Sequence, residues 1–327
     1  MADGTAGGPV GARAGGARPG EPDLLVVGGG PAGCAAAVMA ASVGLRTLLL
    51  EARGELCGRL RYVPALENVL GGFSSGPRFA AAAAADVARA RGCRVEYGAR
   101  VVRLAAHDDR VAVTLESGAV RTAAHAVVAT GTVPLGPAQA DWLHDPAGLA
   151  TVPLWEAEPD RWAGRTVLVL GADRPLGTAL RAAPGVAARF LVAYPPPDGY
   201  KIDEVRADPR VEPVPVRRAV LSAVRGTDRG RRGAGPGRIA VELTTAEGRV
   251  LRREADAVHL NLGSAAAGPP QGLVRGADGY CPPDRQHPRV HVAGDLRSAR
   301  AQRIMTAAGS GGEAALRAYY ALRGAHG

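Results

Sequence analysis

Lysine is almost missing from this chain: Lys201 is the only one, although Lys and Arg together number 40. Aromatic side chains make up 4% of the residues, with three Phe and three Trp. The four cysteines, Cys34, Cys57, Cys93 and Cys281, are scattered, and no two have the close spacing of a dithiol or a zinc site. Long hydrophobic runs are missing too. The stretch AAAVMAASVGLRTLLLEA is interrupted by Gly44, Arg46 and Glu51 and falls short of a membrane span. Arginine abundance without lysine, beside heavy use of Ala and Gly, reads as compositional bias of the source genome. The formal net charge of +9 therefore does not by itself point to nucleic acid. Phosphate contacts need basic residues fixed along one face, whereas the run RGTDRGRRGAGPGR from Arg225 sits in Gly-rich loop sequence. These absences predict a soluble, cytoplasmic protein that partners neither nucleic acid nor membrane.

At 327 residues the chain has room for two ordinary domains. Residues 1–21 open with MADGTAGGPVGARAGGARPG, which has no strand or helix period and no apolar core of signal-peptide length, so a disordered leader is expected there.

The stretch after the leader carries a motif. DLLVV is an apolar run of strand length, it leads into GGGPAG, and an Ala-rich helical stretch comes next. Gly28, Gly30 and Gly33, with Pro31 and Ala32 between the last two, fit the spaced glycines of a dinucleotide cradle. One glycine makes the turn, one lets the backbone approach the pyrophosphate, and one lets helix and strand pack closely. The helix start offers N–H groups to phosphate. A second apolar strand, RTLLLE, ends in Glu51, about 20 residues on, where a carboxylate accepts ribose hydroxyls. The fold class expected is α/β with two Rossmann-like domains, because a strand–loop–helix of similar outline recurs at VLVLGADRPLGTAL from Val167.

Near the C-terminus, RVHVAGDLRSARAQRIMTAAGSGGEAALRAYYAL reads as a short strand ending in Gly294 and Asp295, then a long helix beginning around Gln302. With ELCGRLRYVPALENVLGGF and VVATGTVPLG, this stretch resembles the low-molecular-weight thioredoxin-reductase branch of the pyridine nucleotide–disulfide oxidoreductase superfamily. The resemblance covers nearly everything after the leader. It implies FAD as cofactor, held by a discontinuous domain of residues 22–141 and 263–327, with a nicotinamide-nucleotide-binding-like domain inserted at 142–262. It further implies that Asp295 bonds the ribityl chain and that Gln302, Arg303 and Ile304 face the isoalloxazine, where a helix N-terminus favours the anionic reduced flavin. The family order at that point is Arg-Gln and a small residue, so the swapped order here alters the detailed contacts. Asn68 matches the family Asn beside the flavin ring, and Arg59 and Leu60 follow Gly58 in place of Gly-Gln-Leu. Val101 matches a backbone contact to adenine, and Thr130 and Gly131 end the strand that closes the site. Arg59 is either a cation near the cofactor or a solvent-facing side chain. Cys57 replaces the first Gly of a family Gly-Gly pair and is either a thiolate near the cofactor or an inert structural thiol. Cys57, Arg59 and Asn68 are the weak catalytic candidates.

The inserted domain departs furthest from the family. Counted from the strand, Gly171 takes the first glycine position, but Asp173 takes the second and Leu176 the third, with Gly177 one residue late. A carboxylate at the second position would repel a pyrophosphate. VAYPPPDGYKIDE stands where the family carries Arg for a 2′-phosphate, and AGLATVPLWEAEPDRWAGRT holds no cysteine where the family dithiol belongs. A dithiol relay by that route is excluded. His125, His259 and His291 lie in apolar strands and read as packed residues, not catalysts.

Three functions are expected on these grounds. The leading one is an FAD-dependent oxidoreductase that exchanges a hydride directly with a small organic substrate and is not reduced directly by NAD(P)H, with oxygen or a redox partner protein completing the cycle. The second is an NAD(P)H-dependent flavin or ferredoxin-type reductase. The third is a non-catalytic flavoprotein or redox sensor. No metal site is expected, and a homodimer is left open.

Overall fold

The computed structural model describes residues 20–145, 148–149, 152–224, 238–269 and 271–324. The leader expected at 1–21 and the Arg-rich loop from Arg225 lie, but for their last residues, outside that set. Two compact units are present. The first takes the chain up to Arg59, then Phe79–Thr132, then everything from Ala266 on; the second takes Leu60–Arg78 and Val133–Ala265.

In the first unit, β1 (Leu24–Val27), α1 (Pro31–Ser42) and β2 (Thr47–Glu51) open the chain. All four residues of β1 are buried, as expected of a central parallel strand covered on both faces. Pro31 sits at the first turn of α1, where its missing N–H costs no hydrogen bond. Then come α2 (Gly76–Arg89), β3 (Cys93–Tyr97), β4 (Val101–Ala106), β5 (Val111–Leu115), β6 (Val120–Ala123), β7 (His125–Val128) and β8 (Thr132–Pro134), the first three residues of α2 and the last two of β8 falling in the second unit. β4, β5 and β6 form an antiparallel meander, and β5 alternates between buried and half-buried positions.

The second unit holds β9 (Leu143–His144), β10 (Val152–Pro153), β11 (Thr166–Leu170), α3 (Pro175–Ala182), β12 (Arg189–Tyr194), α4 (Gly199–Ile202), β13 (Val211–Ala223), β14 (Ile239–Thr245), β15 (Val250–Ala255), β16 (Ala257–Leu260) and β17 (Ser264–Ala266). Its large sheet runs β10-β16-β11-β12-β13-β14-β15, parallel from β10 to β13 and antiparallel beyond. The chain then returns to the first unit with β18 (Val290–Val292) and α5 (Ile304–Leu322).

The first unit's parallel sheet has the order β18-β7-β1-β2-β3, so β1 is flanked by β2 and β7 and the order reverses beside it. Ligands bind at such a switch point, beyond the carboxyl ends of the strands. One face of this sheet packs through Leu25, Val27, Leu50, Val128 and Val292 against Val111, Val113 and Leu115 of β5. α1 and α5 pack on each other closely, because Gly311 of α5 lies where a Cβ would be 2.0 Å from the Ala32 carbonyl. The fold class is thus α/β with two Rossmann-like sheets.

Candidate active site

The geometry of the first loop explains its glycines. Gly28 has φ +98°, and a Cβ there would lie 2.7 Å from the Ala129 carbonyl oxygen. At Gly33 a Cβ would lie 1.8 Å from the Gly28 carbonyl oxygen, so neither position admits a side chain. Gly30 is different: a Cβ there would meet nothing within 4 Å. This glycine leaves open space above the N-terminus of α1, which no side chain caps. The bare helix start and the open cradle fit a pyrophosphate.

Glu51, at the end of β2, fixes the loop. Its Oε2 accepts the Gly29 N–H at 2.6 Å and its Oε1 accepts the Arg53 N–H at 2.8 Å. Each carboxylate oxygen retains a further acceptor position for a ribose hydroxyl. The Ala99 N–H donates to the Glu51 carbonyl at 2.9 Å, which leads the chain directly into Val101 at the start of β4.

Thr130 and Gly131 follow β7 beside the loop. Thr130 Oγ1 donates to the Ala267 carbonyl at 2.9 Å, and Gly131 has φ +68°. Gly294, φ +68°, lies where a Cβ would be 2.9 Å from that of Ala32, and its N–H donates to Ser310 Oγ of α5 at 2.9 Å. Asp295 is the next residue, in the short turn Gly294–Arg297. The structure therefore gathers Gly28, Gly30, Pro31, Ala32, Gly33, Glu51, Thr130, Gly131 and Gly294 around one loop. Arg59 is held by Thr132: its Nη1 donates to the Thr132 carbonyl at 2.7 Å and to Oγ1 at 3.0 Å. Gln302 Nε2 turns back to the Ser298 carbonyl at 3.0 Å and Tyr280 Oη at 3.2 Å. The Arg303 N–H donates to Thr306 Oγ1 at 3.1 Å, and Ile304 opens α5. Leu60 and Asn68 lie in the segment that groups with the second unit, outside the unit that holds the glycine loop.

Sequence reasoning missed one feature of the first loop. Cys34 Sγ and Cys57 Sγ lie 3.8 Å apart, both buried, and Cys34 Sγ also donates to the Gly29 carbonyl at 3.4 Å. The bond with Cys57 and burial push the Cys34 thiol well above its ordinary pKa. The signal was thin: 23 positions separate the two residues, and only the return of the chain over α1 joins them.

In the second unit the loop after β11 is one residue longer. Gly171 has φ +103° and would place a Cβ 2.2 Å from the Asn261 carbonyl oxygen, as Gly28 does against Ala129. Gly177 is the third residue of α3, as Gly33 is of α1, but a Cβ there would first meet the Glu204 carboxylate at 2.7 Å and not the carbonyl of the turn, so it does not repeat the backbone contact of Gly33. Asn261, 2% exposed, donates through Nδ2 to the carbonyls of Asp173 at 2.7 Å and Gly171 at 3.3 Å, while its Oδ1 has no hydrogen bond. A cavity of about 430 Å³ opens beside this loop at the carboxyl ends of β11, β12 and β16, lined among others by Trp142, Gly171, Asp198, Arg217 and Leu262. Arg217 stands on a bulge in β13 between Val216 and Arg218, and Asp198 pairs with Lys201 at 2.9 Å.

Among known families, one described as FAD dependent oxidoreductase matches residues 23–64, and one described as flavin containing amine oxidoreductase matches residues 66–196. No curated protein sequence matches significantly. Among solved structures, thioredoxin reductase from T. acidophilum superposes with a TM-score of 0.73 at 21% identity, covering 92% of this chain and 98% of that one. Thioredoxin reductase from Lactococcus lactis gives 0.70 at 18% identity, over 92% and 99%. The bacillithiol disulfide reductase Bdr from Bacillus cereus gives 0.65 at 19%, over 91% and 99%. At these identities the structures show the fold, which is that of thioredoxin reductase. With the family matches, they make this chain an FAD-dependent oxidoreductase of thioredoxin-reductase-like fold. All four cysteines are free thiols, so no disulfide is present. Among the described residues no helix is long and apolar enough to cross a membrane, and no cluster of three metal-ligating side chains occurs.

Proposed function

We propose that the protein is a nicotinamide-nucleotide-dependent flavin reductase that passes electrons to a small molecule or a partner protein without a dithiol relay. Residues 22–141 with 263–327 serve as the FAD-binding domain and 142–262 as the donor-binding domain. FAD, when bound, supplies the two-electron chemistry. Gly28, Gly30 and Gly33 cradle its pyrophosphate and Glu51 its ribose, while Asp295 and the start of α5 meet the flavin half. The observation that carries the donor reading is the second loop: Gly171 keeps the turn of Gly28, with positive φ and the same tight seat on the carbonyl of a neighbouring strand end, and it opens on a cavity that contains Arg217. Arg217 supplies a cation where the PPPDGY segment supplies none.

A second reading rests on Asp173, which adds acidic charge to the loop, and on the Asp198–Lys201 pair, which occupies the nearest lysine. In that reading the flavin exchanges a hydride directly with a small organic substrate. The amine-oxidoreductase family match over 66–196 supports it. Anaerobic mixing of the oxidised holoprotein with NADH or NADPH separates the two. Fast, saturable bleaching of the flavin band is expected. Slow bleaching without saturation, with prompt reduction by dithionite, overturns the first reading in favour of the second.

A further inference from the structure

Two buried thiols at hydrogen-bonding distance are unusual in a chain with four cysteines, and the backbone goes out of its way to bring them together. Among the described residues only Cys57 and Ala301 combine a side chain with positive φ, and Cys57 sits at +54°. Cysteine has no short polar side chain of the Asn or Asp kind that eases the left-handed region, so its neighbours must impose that conformation. They do. The Cys57 N–H donates to the Gly29 carbonyl at 2.8 Å, and the preceding Leu56 side chain fills the space where a Gly29 Cβ would point. The Gly29 N–H is held in turn by Glu51. Cys34 is fixed from the other side as the fourth residue of α1. No third metal-ligating side chain joins the pair among the described residues, which removes a metal site as the reason for it.

We propose that Cys34 and Cys57 form a peroxide-oxidisable dithiol, which closes to a disulfide against the nucleotide loop. The Cys57 sulfur attacks one oxygen of hydrogen peroxide and gives up its proton. The O–O bond breaks, and the departing hydroxide takes up a proton as water, leaving a sulfenic acid on Cys57. The Cys34 sulfur then attacks the Cys57 sulfur; the S–O bond breaks, Cys34 gives up its proton, and a second water leaves. Two thiols lose two electrons, and one peroxide is reduced to two waters. The sulfur atoms close from 3.8 Å to about 2.05 Å. The Gly29 carbonyl loses its S–H donor, and the segment behind Glu51 becomes covalently joined to α1. Oxidant exposure is thereby recorded at the loop that grips the dinucleotide. Cys93 and Cys281 have no sulfur neighbour of this kind and act as internal controls.

The test treats the reduced, desalted holoprotein with one equivalent of hydrogen peroxide, then denatures, alkylates and digests it. Four alkylated cysteines are expected before treatment and two after, with a Cys34–Cys57 cross-linked peptide two hydrogen atoms lighter than the two reduced peptides together. In Cys34→Ser, a dimedone adduct is expected on Cys57 and no cross-link forms. Because that variant alters the loop, the wild-type peptide map decides if it fails to fold. Four alkylated cysteines after peroxide, a cross-link that involves Cys93 or Cys281 instead, or oxidation confined to Cys93 would each overturn the proposal.

Discussion

Lowering the pH should loosen the first unit through one pair of side chains. His125 of β7 and His291 of β18 stack with ring centroids 5.4 Å apart, and His125 Nδ1 meets His291 Nε2 at 3.2 Å. Such a contact needs at least one neutral ring. Burial pushes His125 down to about 3, helped by the charges of His291, Arg289 and His287, and it pushes His291 down to about 4, helped by Arg317. Both folded-state values lie below the unfolded value of about 6.5, so the unfolded chain binds the extra protons. The stabilisation is therefore complete above pH 6.5 and drains away as pH falls toward 4. At about pH 5 the difference is about 1.5 pKa units per ring, or about 2 kcal/mol each and about 4 kcal/mol for the pair. Trp142, Trp155 and Trp162 all belong to the second unit, so tryptophan fluorescence would follow the wrong half of the molecule. Hydrogen exchange of the β7 and β18 amides, corrected for the intrinsic rate at each pH, reads the right one. Protection there should fall steeply between about pH 7 and about pH 5 in the wild type and much less in His125→Leu/His291→Leu. Parallel losses in both proteins would refute the assignment.

Two glycines of the first loop should separate folding from cofactor grip. Gly33→Ala forces a Cβ to within 1.8 Å of the Gly28 carbonyl oxygen and should cost more than about 3 kcal/mol, giving poor soluble yield and no flavin. Gly30→Ala meets nothing in the fold and should purify normally with flavin content sharply reduced, so equal behaviour of the two in yield and absorbance would contradict the cradle. In the second unit, Arg217→Ala should raise the NADPH concentration needed for half-maximal flavin reduction tenfold or more, since a charge-assisted hydrogen bond is worth about 1.5–3 kcal/mol. Stopped-flow reduction measures it, and an unchanged concentration dependence would remove Arg217 from the donor site.

The first Rossmann unit is legible in the sequence because local pattern and tertiary role coincide there. LLVV is buried on both faces, Gly28 and Gly33 stand where backbone crowds backbone, and Glu51 ends the next strand in contact with the loop. The sequence pattern starts α5 near Gln302, whereas the helix begins at Ile304. The Arg303 N–H is taken by Thr306, and Gln302 is tied to the turn before the helix. β13 is harder still. Pro213 and Pro215 in the sequence argue against a strand there. The Arg210 carbonyl accepts from the Phe190 N–H, so alternate residues from 210 face β12 and the two prolines turn away from it. Their missing donors point to the edge that β14 covers only from Val216 onward, so a 13-residue strand forms. The second loop is one residue longer than the first, so Gly177 reaches Gly33's place in the helix without Gly33's contact to the turn. The Cys34–Cys57 contact depends on two segments meeting in space, which no spacing rule encodes.

The close seat of Gly311 on Ala32 joins helices near opposite ends of the chain. During synthesis the first glycine loop leaves the ribosome some 270 residues before the helix that backs it is made. The second unit's parallel sheet, encoded entirely between them, can complete itself in the meantime. For that interval β1 and α1 must wait with an apolar face uncovered, exposed to chaperones and to aggregation. Truncations or stalls that remove α5 would therefore be felt first at the nucleotide loop, some 270 residues upstream in the order of translation.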